Sequence, residues 1–433
     1  MHGTSSSAPA GSKCRVCREP SGVREFLSLG VLPMGNAFIE AAEIPSEQQF
    51  PLAMGVCARC HLVQIVDPAP LEAIEKVYRN YSYVPTGATL AQHYRALAED
   101  VVRVVGPKPG SLFVDIGSND GLLLRSIHER AEAARVGGIE PSARIAEIAR
   151  TQGVPTINGF FNDAAADEVL SRFGRADVVS ATQVLQHIRD PVALLRSARR
   201  VLGPGGVLVL EGRAYFPDVA AKVSFDTFYH ELLYCFTLHS LEELLGQAGF
   251  SVFHAEHNDV YGGSLRVFAQ VQDGDLRPVR SSVAEIRASE VVAGVTRFEA
   301  YAEFAGHVES VRSRLRHTVQ QLTSSGRTIA GYGAPSTGTT LLSYCGLGSG
   351  VVQYVVDDNP LKQGLVTPGT HIPITPSSKL LERPPDYVLI IAWRLKDEIL
   401  ARLAPLRRDR IQGVIVPLPT PEVIRHQGAQ ALP

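Results

Sequence analysis

From about Pro107 onward, apolar residues fall into short runs rich in β-branched side chains, separated by stretches in which they recur every three or four positions. Such runs, alternating with helical periodicity, read as βαβ units of a mostly parallel sheet. Strands are predicted over Ser111–Asp115, Val136–Ile139, Asp177–Ala181, Val207–Glu211, Ser251–Glu256 and Ser264–Val271, with helices over Ala143–Thr151 and Pro191–Leu202. Six or seven strands make one doubly wound α/β domain. Phe298, Tyr301, Phe304, Val308, Val311, Leu315, Val319 and Leu322 then keep the spacing of one long helix with a single apolar stripe. After Gly326 a second α/β unit begins, with strands predicted over Thr328–Gly331, Val352–Val356 and Tyr387–Ala392.

Upstream of the sheet the pattern is different. Residues 1–12 are a Ser, Gly and Ala-rich tail with nothing to bury, expected to be disordered, and Lys13 to Asn80 form a short, turn-rich stretch. The expected organisation is therefore a tail (1–12), a small module (13–80), a doubly wound domain (81–272), a helical connector (273–326) and a Rossmann-like domain (327–433). A chain of 433 residues is long enough for two or three domains at about 100–200 residues each.

Charge narrows the partners. With 42 basic and 44 acidic residues the formal net charge is −2, so there is no global basic field to gather nucleic acid or an anionic membrane. The first ten residues, Met1-His2-Gly3-Thr4-Ser5-Ser6-Ser7-Ala8-Pro9-Ala10, lack the basic start and apolar run of a signal peptide. No window approaches the roughly 18 to 20 apolar residues that span a bilayer. A cytoplasmic protein is expected, and a monomer is compatible with the composition.

Six cysteines in such a chain do not read as a disulfide framework, and four of them form two Cys-x-x-Cys pairs, Cys14/Cys17 and Cys57/Cys60, across a 39-residue gap. Two thiolates on a tight turn share one tetrahedral ion, and two such turns complete a four-sulfur zinc site. A closed shell of this kind leaves no position for water, so its expected role is structural. Cys235 and Cys345 stand apart and read as small buried apolar residues.

The first strand of the doubly wound domain ends in Asp115-Ile116-Gly117-Ser118-Asn119-Asp120-Gly121. Glycines there let backbone approach a nucleoside ligand closely as the next helix starts, although the Gly-x-Gly-x-x-Gly spacing of a dinucleotide site is absent. The next strand ends Gly138-Ile139-Glu140-Pro141, which places an acidic side chain to accept hydrogen bonds from ribose hydroxyls. In the last domain Gly331-Tyr332-Gly333-Ala334-Pro335-Ser336 forms a Rossmann-like turn of irregular spacing, and a later strand ends in Asp357-Asp358.

With these segments in this order, the chain resembles the methyltransferases that place a methyl on a ring carbon of nucleotide-linked deoxysugars. The resemblance also rests on Phe225-Asp226-Thr227-Phe228-Tyr229-His230-Glu231, Gly262-Gly263-Ser264-Leu265-Arg266 and Asp358-Asn359-Pro360-Leu361-Lys362-Gln363-Gly364. It implies a class I methyltransferase core between a zinc module and a Rossmann-like domain, S-adenosylmethionine as donor, and a sugar nucleotide with a 4-keto group as acceptor in secondary metabolism. A base removes the proton acidified by the ketone and the enolate takes the methyl. By motif position the resemblance offers Tyr81, Tyr83, His187, Tyr229, His230, Glu231 and Tyr261 for that chemistry. It assigns Asp115, Gly117, Ser118, Asn119, Gly121, Glu140, Pro141, Thr182 and Gln183 to the donor. Arg266, Gly333, Ala334, Pro335, Ser336, Asp358, Lys362 and Arg394 fall to the nucleotide-linked substrate.

The sequence departs from the family at a sensitive place. The family run is Tyr-His-Glu-His, whose second histidine is the usual base; here that position is Leu232, and leucine accepts no proton. Tyr261 stands for the usual histidine before Gly-Gly-Ser-Leu-Arg, Thr182-Gln183 for the usual Asn-Asn pair, and Thr337 for a common lysine. Either His187, His230, Glu231 or Tyr261 serves as base, or the chemistry on this scaffold is altered. A non-catalytic binding protein is a third reading.

Overall fold

The computed structural model describes residues 12–79, 88–273, 276–407 and 410–425. Three sheets organise them. In the first, β1 (Val23–Pro33), β2 (Gln49–Cys57) and β3 (Val63–Ile65) run antiparallel, with Val23 opposite Cys57, so the ladder brings the second cysteine pair beside the first.

The second sheet holds β4 (Leu112–Ile116), β5 (Arg135–Glu140), β6 (Thr156–Asn158), β7 (Ala176–Thr182) and β8 (Leu202–Arg213), all parallel. Its central strand β4 is buried along its whole length, as a strand covered by helices on both faces must be. The predicted strands fall inside these elements except for Ser111, which precedes β4, and the helices run Ala143–Thr151 and Pro191–Val201, the second one residue shorter than expected. Strand β6 escaped prediction because three residues are too few to show a period.

Three later strands split between two sheets. β9 (Tyr234–Cys235) leaves the doubly wound domain and pairs antiparallel with β3, so the N-terminal sheet takes its fourth strand from far along the chain. β10 (Phe250–Asn258) and β11 (Ser264–Val271) return antiparallel against β8, giving the order β10-β11-β8-β7-β4-β5-β6.

The long helix Phe298–Ser324 buries Tyr301, Phe304, Val308, Val311, Leu315, Val319 and Leu322, the stripe read from the periodicity. Its aromatic end joins the modules: Tyr301 stacks on Phe216 at 4.6 Å and meets Phe26 of β1 at 5.3 Å, while Phe304 meets Phe228 at 6.0 Å. Beyond it the third sheet contains β12 (Ile329–Tyr332), β13 (Val352–Val356), β14 (Ile374–Thr375), β15 (Tyr387–Ile390), β16 (Gly413–Val416) and β17 (Glu422–Arg425), ordered β14-β13-β12-β15-β16-β17. No helix among the described residues is long and apolar enough to cross a membrane.

Candidate active site and metal centre

The two Cys-x-x-Cys turns meet. Cys14 Sγ lies 3.6 Å from Cys60 Sγ and Cys17 Sγ lies 3.5 Å from Cys57 Sγ, all four buried and within 4.8 Å of one another. A tetrahedron with Zn–S bonds of about 2.3 Å has edges of about 3.8 Å, so the thiolates fit a zinc ion. The turns are preformed by backbone: Arg18 N–H donates to Cys14 O at 3.1 Å and His61 N–H to Cys57 O at 3.0 Å. The His61 side chain is not part of the four-atom group.

The donor turn sits where β4, β5 and β7 end together. Gly117 and Ser118 N–H groups donate to Ile139 O at 2.8 and 3.0 Å, folding the loop back over β5. Gly117 has φ +71, and a Cβ there would stand 2.5 Å from a Val184 methyl, so only glycine leaves this close approach open. The buried Ser118 Oγ has no hydrogen-bond partner and packs against Gly138, where a Cβ would stand 2.3 Å from it.

Two carboxylates frame the turn. Asp115 accepts from Ser180 Oγ at 2.6 Å, and burial pushes its pKa up to about 7 against that bond, with the negative Glu140 adding to the rise. Glu140 accepts from Asn119 N–H at 3.1 Å and Ser142 N–H at 2.8 Å, and burial raises it too. Asn119 and Gly121 hold left-handed conformations in the turn, and Pro141 follows Glu140 with its carbonyl bound to Asn158. Thr182, the last residue of β7, hydrogen-bonds the Tyr94 hydroxyl, and Gln183 Oε1 accepts from Arg213 N–H at 2.9 Å. Glycine cradle and paired carboxylates fit S-adenosylmethionine, which carries two cationic centres and a ribose.

Opposite lies the Phe225–Glu231 segment, whose successive side chains bind different modules. Asp226, fully buried, accepts from Trp393 Nε1 at 2.9 Å and from both terminal nitrogens of Arg394 at 2.8 and 3.1 Å. Thr340 Oγ1 donates to Phe228 O at 2.7 Å. The Tyr229 hydroxyl meets Arg213 of β8 and Ser336 of the C-terminal domain. Glu231 accepts from Gly35 and Asn36 N–H at 3.0 and 2.8 Å and from Asn36 Nδ2 at 3.2 Å.

The Glu231 backbone carbonyl lies 2.5 Å from His187 Nδ1. A carbonyl only accepts, so Nδ1 carries the proton and Nε2 keeps a lone pair. Burial, then the nearby positive charge of Arg213, holds the His187 imidazole down at about 3, so it is neutral.

Several expected residues have other partners. His230 is turned away, bonded to Leu32 O at 3.0 Å and edge-on to Phe50 at 5.9 Å, which makes it a strut against the N-terminal sheet and corrects its expected role in proton transfer. Arg266 was expected at the substrate; its guanidinium is buried among Glu211, Asp100 and Glu256 at 2.7 to 3.1 Å, an ion cluster inside the doubly wound domain. Arg394 is spent on Asp226 and Thr227, binding the modules together instead of reaching for phosphate. Asp358 is exposed and paired with Arg402 and Ser377.

Lys362 Nζ donates to Ala334 O at 2.7 Å with Phe38 beneath it at 4.8 Å, propping the Gly333–Ser336 turn from below; Asp357 ties the same turn through Ala334 N–H at 2.7 Å. Tyr261 is half-buried with φ +56 and faces Arg213. Leu232 is fully buried in apolar core. Tyr81 and Tyr83 lie outside the described residues. Arg213, Tyr94 and Asn36 were missed, since no motif marks a lone arginine at a strand end or residues brought in from other modules.

A glycine-lined turn at the carboxyl end of β4, with carboxylates on β4 and β5 and a titratable cluster opposite, defines an S-adenosylmethionine-dependent methyltransferase of doubly wound α/β fold carrying a four-cysteine zinc site. Comparison with known proteins gives the family. The family model described as methyltransferase domain matches residues 90–255, that of a zinc binding domain residues 14–74, and that of a C-methyltransferase C-terminal domain residues 259–419. The chain is 34% identical over 417 residues to the C-methyltransferase NovU of Streptomyces niveus, covering 95% of this chain and 96% of that protein. It therefore belongs to the C-methyltransferase family. A ubiquinone biosynthesis O-methyltransferase of Vibrio parahaemolyticus is 28% identical over 99 residues, 22% of this chain and 41% of that one. Among solved structures, magnesium protoporphyrin IX methyltransferase of Synechocystis with bound SAH matches with TM-score 0.34 and 17% identity, covering 46% of this chain and 95% of that chain.

Proposed function

We propose that the chain methylates the ring carbon beside the ketone of a nucleotide-linked 4-keto-deoxysugar in secondary metabolism. The observation that carries this reading is His187: its Nδ1 is fixed by the Glu231 carbonyl, which leaves Nε2 as a proton acceptor one turn beyond the donor-site residues Thr182 and Gln183. Bound in the Gly117 turn, the donor supplies a methyl on a positively charged sulfur. The Tyr229 hydroxyl meets Arg213 of β8 and Ser336 of the Gly333–Ser336 turn, and this contact between the two domains supports a reading in which the sugar lies near Tyr229 and its nucleotide near that turn. Leu232 is no obstacle when His187 takes the proton.

Incubation of the zinc-loaded protein with labelled donor and thymidine-diphosphate keto-sugars tests the proposal. Label is expected in the sugar; donor binding without transfer to any sugar would sink it. A second reading, altered chemistry on the same scaffold, is favoured by Leu232 in the apolar core, and a product whose mass differs from the acceptor by something other than one methyl would select it.

A further inference from the structure

Arg213 closes β8 beside the donor turn, and neither motif nor family resemblance marks it. Its N–H donates to Gln183 Oε1 at 2.9 Å, while Gln183, in a left-handed conformation, donates its own N–H to Glu211 O at 2.7 Å. The side chain is half-buried, with its Cζ 5.6 Å from the centroids of both the Tyr229 and Tyr261 rings, and it donates to the Tyr229 hydroxyl. Ring contacts at this range hold a guanidinium by cation–π attraction. The group is planar and carries five N–H donors, more than the Tyr229 hydroxyl takes up, and that fork matches an oxygen ligand in its plane.

We infer that Arg213 is a catalytic residue whose guanidinium binds the acceptor's carbonyl oxygen and carries the negative charge that develops there as the neighbouring C–H proton passes to His187 Nε2. This role rests on the keto-sugar reading of the function. In the step the C–H bond breaks and the proton bonds to Nε2. The C–H electron pair becomes the C=C bond of the enolate, and the carbonyl π pair moves onto oxygen; nothing is oxidised or reduced.

The pairing has a second effect. Arg213 reaches His187 from β8, and Glu231 reaches it from the facing loop through its carbonyl, its carboxylate being turned to Gly35 and Asn36. After burial itself, the guanidinium disfavours a protonated His187. Negative charge growing on the bound oxygen offsets that field, so the base strengthens as the proton leaves the carbon. A charge fixed where charge develops contributes most to lowering a barrier, because nothing has to reorganise during the step.

The test compares wild type, Arg213→Gln and Arg213→Lys as full-length, zinc-loaded chains. The first readout needs no acceptor: in protein labelled with ¹⁵N-histidine, and assigned against His187→Phe, Arg213→Gln is expected to raise the His187 pKa by about one unit or more. An unmoved titration overturns the inference, even where no keto-sugar is turned over and the functional reading itself has failed. The second readout is deuterium uptake from D₂O at the carbon beside the ketone, together with kcat for methyl transfer. Arg213→Gln is expected to slow both by about 10²–10³-fold with donor affinity within about twofold, and Arg213→Lys to recover at least about tenfold. Unchanged exchange, wild-type kcat, or donor affinity lost in parallel would each overturn it.

Discussion

The four-cysteine cluster and the Phe225–Glu231 segment are both buried and both polar, yet they are assembled in opposite ways. All four ligands of the first come from one module, and its turns close on their own backbone. The second draws Gly35 and Asn36 from the N-terminal module, Arg213 from β8, and Ser336, Thr340 and Arg394 from the C-terminal domain. A site completed locally is fixed by its own spacing. A site completed by three modules is only as well formed as their docking, so damage far from it reaches the chemistry.

Removing zinc puts that difference to its hardest test. Structural zinc contributes about 10–16 kcal/mol of folding free energy in zinc-finger peptides, so Cys57→Ser or chelation should melt the N-terminal module. Because Leu32, Gly35 and Asn36 hold His230 and Glu231, methyl transfer should fall below about 1% while the doubly wound domain keeps its secondary structure. Metal analysis, circular dichroism and activity check this, and full activity without zinc would break the comparison.

Asp226→Ala removes one partner of a buried ion pair and takes the carboxylate away from both the Arg394 guanidinium and the Trp393 indole. A loss of about 3–5 kcal/mol in urea unfolding is expected, with KM for the sugar nucleotide rising as the C-terminal domain loosens. Glu140→Ala touches the donor turn alone. It should weaken donor binding by about 1.5–3 kcal/mol in calorimetry while leaving both the metal and the Phe225–Glu231 contacts unchanged.

At neutral pH nothing is expected to change at His187, and its effect appears only on acidification. Its imidazole is held at about 3 in the folded chain against about 6.5 when unfolded, so below pH 6.5 the unfolded state binds a proton first. This group's share of stability is therefore whole above pH 6.5 and falls as pH drops toward 3, with a slope of at most about 1.4 kcal/mol per pH unit. Histidine NMR should show His187 neutral throughout that window, and a normal titration near pH 6.5 would be incompatible with a buried ring facing an arginine.

The same contrast governs what the sequence reveals. Cys14, Cys17, Cys57 and Cys60 were legible because their spacing is their geometry, and β4 with its glycine turn because a buried parallel strand reads as a continuous apolar run. The long-helix stripe was equally plain. Arg266 and Arg394 misled because an arginine in a motif looks the same whether it meets a phosphate or a buried carboxylate, and only folding brings Glu211 or Asp226 beside it. His230 misled for a related reason: its neighbours Tyr229 and Glu231 reach Arg213 and the N-terminal loop, while it points to β1 and β2. Arg213 carries no spacing signal at all.

The short pairing of β9 with β3 also bears on how the protein is made. Val63 finds Cys235 only after the ribosome has added about 170 further residues, on the order of ten to thirty seconds at ordinary elongation rates. During that interval the N-terminal sheet shows an open edge at β3, a template for pairing with another nascent chain. Early metal capture by the cysteine turns would hold the half-built sheet in register until its last strand arrives, so zinc supply during synthesis should govern the yield of soluble protein more strongly than zinc added to the finished chain.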